Sequence, residues 1–481
     1  MAGPTRVVVI GADAAGMSAA HQALRRSRAL GRDLEVTVLE SSGHTSYSAC
    51  GIPYWIAGDV DDQQDLVARS AGRHREMGVD LRLEAAATRL DLTRRVVHYR
   101  DGQHAYGQLP FDELVLATGA RAVIPDWARD ARGGLIGGMH PVKNLDDGAT
   151  WLGLLGAGLG DGEAEGRPDG RRAVVVGGGY IGIEMAEALV RRGLRTTLIT
   201  RSEVMSSFDP DMSARISAVL TKAGVEMITH SQVASVGATD DGGRVREIVT
   251  TGGQVCPADV VVLGVGVTPA SELGVAAGLP VGRSGGYTPD ARGQLADGVW
   301  AAGDCCEAIH RITGEHVFVP LGTHANKQGR TAGDNLAGGD VRFGGVLGTA
   351  ITRFAAGEHE VEIARTGLST AEAAAAGLAA GSLVTGGTTT AGYLRDAAPI
   401  ATKILAERGT RRLLGVQIVG GSGAAKRIDT AAAALWGAMT VDDLAGMDLS
   451  YAPPFATVWD ALQLAARRLA DRLESDAVRP G

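Results

Sequence analysis

Short apolar runs and amphipathic stretches alternate along the first two thirds of the chain. Residues 7–10 are Val-Val-Val-Ile and residues 173–176 are Ala-Val-Val-Val, and each run is followed by glycines and then by a stretch of helical periodicity. A short β-branched run bounded by glycine predicts a strand buried in a parallel sheet. Strands that alternate with helices in this way predict an α/β fold.

The first of these units has the order of a dinucleotide-binding βαβ motif. Gly11 opens the turn "GADAAG", Gly16 closes it, and a second apolar strand ends at Glu40. In such a unit a pyrophosphate lies at the helix N-terminus, and a carboxylate at the end of the second strand binds the ribose hydroxyls. The unit departs from the motif at one point, because Asp13 stands where the middle glycine is expected.

The second unit carries the complete glycine fingerprint. Gly177, Gly179 and Gly182 lie between an apolar strand and a predicted helix, and the next strand ends at Thr200 and Arg201 instead of an acid. A guanidinium pairs with a 2′-phosphate that a carboxylate would repel, so the pattern favours NADPH, with NADH as the alternative. An exposed loop arginine without that role is the other interpretation of Arg201.

Two further segments repeat across the chain. Residues 111–125 and 258–271 each place an apolar strand before a glycine-containing turn, and we expect them to be equivalent exits from the two nucleotide-binding units. Gly303 and Asp304 follow a short strand and precede a predicted helix at residues 320–336.

The pattern changes after about residue 346. Residues 399–420 alternate between apolar and polar positions and predict an antiparallel hairpin that turns at residues 407–410. Helices are expected within residues 424–439 and 458–474. Residues 156–170, which are rich in glycine and acid, are expected to be a flexible loop without assigned chemistry.

Composition and charge narrow the class of protein. The 481 residues are 45% hydrophobic and 21% charged, with a net charge of −8, an ordinary globular balance that argues against a nucleic-acid surface. Four cysteines are too few for a secreted disulfide framework, and no signal peptide precedes the first strand, so we expect a cytoplasmic protein without a membrane partner. The uncharged residues 373–394 are expected to form a loop with short strands instead of a membrane span.

Taken in order, these motifs resemble the pyridine nucleotide-disulfide oxidoreductases, and the resemblance covers nearly the whole chain. It implies two Rossmann-like α/β domains, for FAD and NAD(P)H, with a C-terminal α+β dimerisation domain and a homodimeric assembly. The expected FAD domain comprises residues 1–140 and 270–345, and the NAD(P) domain comprises residues 141–269. The dimerisation domain is expected at residues 346–470, with a tail at residues 471–481.

The same resemblance assigns cofactor contacts by position. The expected FAD contacts are Gly11, Ala14, Ala15, Gly16, Glu40, Ser41, Ser46, Thr118, Gly119, Gly303, Asp304, Thr323 and Ala325. The expected NAD(P)H contacts are Gly177, Gly179, Tyr180, Ile181, Gly182, Thr200, Arg201 and Gly266. Within these sets Asp304 is expected to bind the ribityl chain and Tyr180 to gate the nicotinamide pocket. No metal site is expected.

The stretch "SYSACGIPYW" places Cys50 where this family carries a redox cysteine. Members with an internal disulfide have two cysteines five residues apart, but Thr45 stands five residues before Cys50, and Cys256, Cys305 and Cys306 are far along the chain. The resemblance therefore narrows to the single-cysteine branch of NADH oxidase, NADH peroxidase and coenzyme A-disulfide reductase. A helix N-terminus or a flavin face would lower the pKa of such a thiol. An inert packed cysteine is the alternative, and Cys305 and Cys306 are expected to be structural.

The general acid separates the three chemistries of this branch. Oxidase and peroxidase members place a histidine in the first glycine turn, and the matching residue here is Ala14, which argues against peroxide chemistry. Coenzyme A-disulfide reductases use a tyrosine of the partner subunit, for which the segment "YAPPF" offers Tyr451, with Tyr393 as a second candidate. A phenol can protonate a departing thiolate. The other interpretation of "YAPPF" is a turn with a packed aromatic ring.

Substrate contacts are expected from Arg25, Ser46 and Cys50. Family members bind coenzyme A phosphates through arginines of the helix after the first turn; Arg25 matches, but Gln22 stands where a basic residue is common. Another low-molecular-weight disulfide or a persulfide therefore stays open. The resulting prediction is an FAD-dependent NAD(P)H oxidoreductase that reduces a small disulfide through Cys50. An NAD(P)H oxidase or peroxidase, and a flavin-containing NADPH sensor, are the alternatives.

Overall fold

The computed structural model describes residues 3–156, 170–239 and 243–478, so the predicted loop at residues 156–170 lies almost wholly outside the described residues. The α-helices in this range are α1 Ala14–Ala29, α2 Ile52–Ala57, α3 Ala71–Glu76, α4 Leu145–Gly156, α5 Tyr180–Arg191, α6 Pro210–Lys222, α7 Glu272–Val275, α8 Gly322–Leu336, α9 Thr370–Ala375, α10 Ile428–Trp436, α11 Val441–Gly446 and α12 Ala461–Val478. Short 3-10 helices are Ala49–Gly51, Gln63–Leu66, Asp126–Ala128 and Ala425–Arg427.

The strands are β1 Thr5–Ile10, β2 Leu34–Leu39, β3 Val79–Arg82, β4 Ala86–Asp91, β5 Val96–Arg100, β6 Tyr106–Pro110, β7 Glu113–Leu116, β8 Ala120–Ala122, β9 Met139–His140, β10 Arg172–Val176, β11 Arg195–Ile199, β12 Glu226–Ile228, β13 Val233–Ala238, β14 Val245–Thr250, β15 Val255–Pro257, β16 Val260–Leu263, β17 Val267–Pro269, β18 Gln294–Ala296, β19 Val299–Ala301, β20 Ala308–Ile309, β21 His316–Val317, β22 Ala350–Ala356, β23 His359–Gly367, β24 Ala380–Thr388, β25 Pro399–Glu407 and β26 Leu413–Gly420.

The first sheet is the one predicted from residues 7–10. Its six strands have the order β18-β19-β7-β1-β2-β3, and β1 pairs in parallel with both β2 and β7. Apolar side chains of α1 and α8 pack against one face of β1 and β2, and because both faces of these strands are covered, their apolar side chains are almost fully buried. The chain leaves this sheet after β7 and returns to it at β18.

The second sheet repeats the design, with five parallel strands in the order β12-β11-β10-β16-β9. Helix α5 follows the second glycine turn, as predicted, and packs on this sheet and on α2. The two predicted exit segments pair with each other, since β8 and β17 form an antiparallel ladder in which Ala122 faces Val267. This ladder joins the two nucleotide-binding units.

The C-terminal part is an antiparallel sheet of order β22-β23-β26-β25-β24, covered by α10 and α12. The predicted hairpin is confirmed as β25 and β26. Helix α12 begins at Ala461 and continues to Val478, across the expected boundary between the domain at 346–470 and the tail. The predicted α/β class with a C-terminal α+β domain is confirmed.

Residues 373–394 differ from the loop with short strands that their composition predicts. They contain the end of α9 and the nine-residue strand β24, which pairs with β25 along its whole length. The pairing satisfies backbone groups that small residues such as glycine and threonine leave unshielded. None of the described helices is long and apolar enough to cross a membrane.

Candidate redox site

Close backbone packing explains the two glycines of the first turn. Gly11 has a φ of +102°, and a Cβ atom there would overlap a neighbouring backbone carbonyl. A Cβ at Gly16 would overlap the carbonyl oxygen of Gly11. Glu40 faces the same turn, because its Oε2 accepts a hydrogen bond of 2.9 Å from the Ala12 N–H and its Oε1 one of 2.8 Å from the Ser42 N–H. The carboxylate is therefore fixed at the strand end where ribose hydroxyls are expected.

Small residues line the space between α1 and the Gly303-Asp304 pair. Gly303 has a φ of +89°, and a Cβ there would lie 2.7 Å from the Cβ of Ala15 and 3.6 Å from that of Ala325. The structure thus brings these three predicted residues together. Among the other predicted FAD contacts, Ala14 begins α1 and Thr323 is exposed in the first turn of α8. The Ser41 hydroxyl donates to the Glu40 carboxylate, and the Thr118 hydroxyl donates to the Ala270 carbonyl oxygen. Gly119 has a φ of +70°, and a Cβ there would meet no atom of the described residues within 4 Å.

Lys143 is a charged group of this site that the sequence did not identify. Its Nζ lies 3.3 Å from Oδ2 of Asp304, and its charge also acts on Asp13 and Cys50. Burial and the charge of Glu40 raise the pKa of Asp13 to about 6, against the lowering effect of Lys143. A carboxyl that takes up a proton near this pH can donate to a phosphate oxygen, which makes an acid acceptable in place of the middle glycine.

The second turn has the geometry of an open nucleotide cradle. Gly177 has a φ of +114°, and a Cβ at Gly182 would overlap the Gly177 carbonyl oxygen. A Cβ at Gly179 would meet no atom of the described residues within 4 Å. Gly179 therefore leaves free space at the N-terminus of α5, where a pyrophosphate binds in such motifs. At the end of β11, Thr200 is buried and Arg201 is exposed.

Tyr180 and Ile181 form the first turn of α5 and pack on the core that α5 shares with α2. Burial raises the pKa of Tyr180 to about 12, so the phenol keeps its proton at neutral pH. Gly266, with a φ of +105°, is exposed on the segment after β16. The predicted NAD(P)H contacts thus surround the C-terminal ends of β10, β11 and β16, the edge at which ligands bind in open parallel sheets.

Cys50 lies in the 3-10 helix Ala49–Gly51, directly before α2, and is exposed. Desolvation by neighbouring atoms and the charge of Glu184 nevertheless raise the pKa of its thiol, whereas Lys143 lowers it. The expectation that a helix N-terminus lowers this pKa is therefore not met by the protein groups. Helix α2 has only six residues, and the main causes of the raised pKa are desolvation and the Glu184 carboxylate. Glu184, one turn after Tyr180 on α5, is a second residue that the sequence did not identify.

Cys305 and Cys306 are buried behind this site. The Cys305 thiol donates to the carbonyl oxygens of Ala302 and Leu116, at 3.3 and 3.5 Å, and both side chains pack in the core beneath the first sheet. These contacts agree with the structural role expected for the pair.

Tyr451 and Tyr393 lie on neighbouring loops of the C-terminal domain, with 48% and 76% of their surface exposed. Arg427 joins the two loops, because its guanidinium donates to the carbonyl oxygen of Thr389 at 2.6 Å and to that of Phe455 at 2.7 Å. Within the described part of the chain, no hydrogen bond or ion pair connects either tyrosine to the Cys50 segment. Both phenols instead belong to an exposed surface that also carries Phe455.

A cavity of about 700 Å³ opens beside the helix that follows the first turn. It is lined by Ser18, His21, Gln22, Leu24, Arg25, Arg28, Arg69, Glu76, Met77, Asn326, Lys327 and Arg330. Gln22 orients Arg25, since its Oε1 accepts a 2.6 Å hydrogen bond from that guanidinium while its amide donates to Asp334. Gln22 stands where a basic residue is common in the family, and here its side chain orients the arginine three residues later. Arg26 is outside the lining and pairs with Asp334 at 3.7 Å.

Ser46 connects this cavity with the cysteine loop. It adopts a left-handed φ of +47°, and its backbone is held by hydrogen bonds to Ala12 and from Ala68. Its hydroxyl lies 3.0 Å from Nε2 of His74, whose Nδ1 lies 2.7 Å from Nε2 of His21, a residue of the cavity wall. Neither histidine was identified from the sequence, because no motif surrounds them.

Comparisons with known proteins agree with this arrangement. Residues 5–329 match the family described as pyridine nucleotide-disulphide oxidoreductase, and residues 359–462 match its dimerisation domain. A similar protein of Pyrococcus abyssi, named NAD(P)H sulfur oxidoreductase (CoA-dependent), is 36% identical over 96% of this chain and 98% of its own length. An NADH oxidase of Methanocaldococcus jannaschii is 30% identical over 98% of this chain and 100% of its own length.

A solved structure is also similar to this chain over almost its whole length. The NAD-dependent persulfide reductase from A. fulgidus is 31% identical and superimposes with a TM-score of 0.88, covering 99% of this chain and 85% of that one. The fold, the two glycine cradles and the sequence identity over almost the whole chain point to one conclusion. The chain belongs to the pyridine nucleotide-disulphide oxidoreductase family and is a flavoprotein oxidoreductase that uses NAD(P)H.

Proposed function

We propose that this protein is an FAD-dependent NAD(P)H reductase that acts through Cys50 on a small disulfide or persulfide with a phosphorylated half, such as a coenzyme A thiol. The observation that carries the proposal is the cation-lined cavity next to the cysteine loop. The names of similar proteins support it, since the Pyrococcus abyssi protein is called CoA-dependent and the A. fulgidus protein is called a persulfide reductase.

The charge of the cavity fits a ligand with several phosphates. Its wall contains Arg25, Arg28, Arg69, Lys327 and Arg330, and none of these five cations is in an ion pair within residues 3–156, 170–239 and 243–478. Unpaired cations that face one cavity attract a polyanion and form charge-assisted hydrogen bonds with it. Coenzyme A carries a diphosphate and a separate 3′-phosphate, and several cations are needed to bind both groups. An uncharged disulfide would leave these cations without an anionic partner.

Each residue of the site then has a chemical role. Bound FAD supplies the two-electron transfer between the nicotinamide and sulfur. The Cys50 thiolate attacks the nearer sulfur of the substrate, which forms a mixed disulfide and releases the other half as a thiolate. Tyr451 of the partner subunit protonates that thiolate, and Tyr393 is a second candidate on the same surface. Lys143 stabilises the Cys50 thiolate, which is needed again after each reduction.

Three finer features belong to the same proposal. NADPH is the preferred donor, because Arg201 offers an exposed guanidinium at the end of β11, where an acid would select NADH. A homodimer completes the site, as the exposed tyrosines and the matched dimerisation domain suggest. The cytoplasm is the proposed location, because a reactive thiol of this kind needs a reducing compartment.

Anaerobic titration of the purified protein with NADPH tests the proposal, with mass spectrometry of Cys50 before and after reduction. We expect release of a thiol from Cys50 and a charge-transfer absorbance between thiolate and flavin, followed by turnover with coenzyme A disulfide or persulfide. Rapid oxygen consumption without disulfide turnover would instead show that the protein is an oxidase. An oxidase is the second candidate because one of the similar proteins is named an NADH oxidase. Tight NADPH binding without turnover of any acceptor would favour a redox sensor.

A further inference from the structure

Three side chains form a continuous hydrogen-bonded line from the cysteine loop to the cavity. Ser46 Oγ lies 3.0 Å from Nε2 of His74, and Nδ1 of His74 lies 2.7 Å from Nε2 of His21. The two imidazole rings are stacked, with centroids 4.9 Å apart. His74 is fully buried, whereas His21 is half-buried and lines the cavity. The line therefore has one end at solvent and the other at the loop of the reactive cysteine.

We propose that His21 and His74 supply a proton through Ser46 to the substrate sulfur that is released from Cys50, and that His74 is the positioning residue that makes the Ser46 hydroxyl a donor. The inference rests on the disulfide chemistry proposed for Cys50. It assigns roles to two histidines outside the cofactor motifs.

The hydrogen-bond pattern allows the hydroxyl to donate. Both nitrogens of His74 are engaged, so its tautomer decides the direction of each bond. When His74 donates its Nε2–H to Ser46 Oγ, its Nδ1 accepts from His21, and the Ser46 hydroxyl proton is free to point at another acceptor. The left-handed backbone of Ser46 is bound on both sides, which fixes the position of its Cβ atom.

The proton count of the step is balanced. Reduction of the mixed disulfide gives the S–S bond two electrons, and the bond breaks into the Cys50 thiolate and a substrate thiolate. The substrate thiolate takes the hydroxyl proton of Ser46, Ser46 takes one from His74, His74 takes one from His21, and His21 takes one from water in the cavity. One proton enters for each one delivered, and no electron passes through the histidines. Each imidazole then carries its proton on Nδ1, and reorientation of the two rings and of the Ser46 hydroxyl restores the first arrangement before the next turnover.

Burial, together with the surrounding charges, keeps both histidines neutral, as a relay requires. Burial and the charge of Arg69 lower the pKa of His21, with a further contribution from Arg28, and burial together with His21 and Arg69 lowers the pKa of His74 to about 4. Imidazoles that do not hold a charge at neutral pH pass a proton on without storing it.

The test uses a mixed disulfide that does not depend on the natural substrate. The holoenzyme is treated with methyl methanethiosulfonate, so that Cys50 carries a methanethiol group, and is then reduced anaerobically with excess NADPH in H2O and in D2O. We expect the release of methanethiol to show a solvent isotope effect in the wild type. We expect release to slow by at least tenfold in Ser46→Ala and His74→Phe, and less in His21→Asn, whose amide can still donate. A Ser46→Ala/His74→Phe double variant should be no slower than either single variant, because both act on one path.

Release at the wild-type rate with an unchanged isotope effect in His21→Asn and His74→Phe would overturn the inference. Because His74 is buried, its replacement could disturb the fold, and reduction of ferricyanide by NADPH serves as the control. That reaction needs the cofactors and not Cys50. His74→Gln provides a second, polar variant. Failure of the wild type to reduce any disulfide in steady state would contradict the proposed function, whereas the methanethiol experiment reads the proton path separately.

Discussion

Lys143 Nζ lies 3.3 Å from Asp304 Oδ2, and the same ammonium group lowers the pKa of Cys50. Glu184, on α5 of the other nucleotide-binding unit, acts on the thiol in the opposite direction. Besides desolvation, the pKa of Cys50 thus depends on charges of opposite sign from different parts of the chain, among which Glu184 and Lys143 act most strongly. Each can be removed without touching the cysteine.

Replacing Lys143 by glutamine should raise the pKa of Cys50, because the ammonium favours the thiolate over the thiol. Alkylation of reduced enzyme by iodoacetamide at pH 7 should slow by roughly threefold, since only the thiolate reacts. The pH dependence of the alkylation rate measures the change. A pKa of Cys50 equal to that of the wild type would contradict the role given to Lys143.

Replacing Glu184 by glutamine should have the opposite effect. Burial raises the pKa of Glu184 to about 7, so the carboxylate is charged above that pH and opposes the thiolate there. Glu184→Gln should therefore speed alkylation of Cys50 above pH 7, by roughly threefold, and change it little below pH 6. Glu187→Gln is the matched control on the same helix, since Glu187 bonds to Ala355 and Arg191 and is not among the groups that shift the pKa of Cys50. An equal effect of both variants would assign the change to the helix instead.

Local patterns were sufficient for the parts of the fold that repeat. The apolar run before Gly177 predicted its strand and helix closely, because sequence neighbours determine a βαβ turn. Residues 373–394 were misjudged because β24 is held by pairing with β25, a strand that follows later in the chain. Lys143 and the two histidines belong to the site through tertiary contacts alone. The effect of Glu184 on the thiol is likewise a tertiary contact, since Glu184 is far from Cys50 in sequence.

Arg201 should select the phosphate of NADPH. Arg201→Ala is expected to raise the KM for NADPH about tenfold, by loss of a charge-assisted contact, and to leave the KM for NADH unchanged. Because the side chain is exposed, the fold should tolerate the change. Steady-state kinetics with both donors measures the ratio. Equal losses with the two donors would show that Arg201 does not contact the 2′-phosphate.

The cavity should distinguish phosphorylated from uncharged disulfides. Arg25→Met is expected to raise the KM for coenzyme A disulfide about tenfold and to leave that for bis(2-hydroxyethyl) disulfide unchanged, because the guanidinium is needed for phosphate alone. Arg26→Met is the matched control, since Arg26 is adjacent in sequence, lies outside the cavity wall and pairs with Asp334. Equal KM values for the two variants with coenzyme A disulfide would place the phosphates elsewhere.

The two tyrosine loops should act on the cysteine of the other subunit. Cys50→Ser and Tyr451→Phe chains, co-expressed with different tags, should each be nearly inactive as homodimers. Their mixed dimer has one site with an intact cysteine and an intact tyrosine if the tyrosine acts across the interface, so an equal mixture should recover about a quarter of the wild-type activity. A tyrosine that acts within its own chain would give no recovery, because each chain then carries one defect in its own site. Tyr393→Phe in place of Tyr451→Phe shows which phenol is needed, since both are exposed on loops that Arg427 holds together.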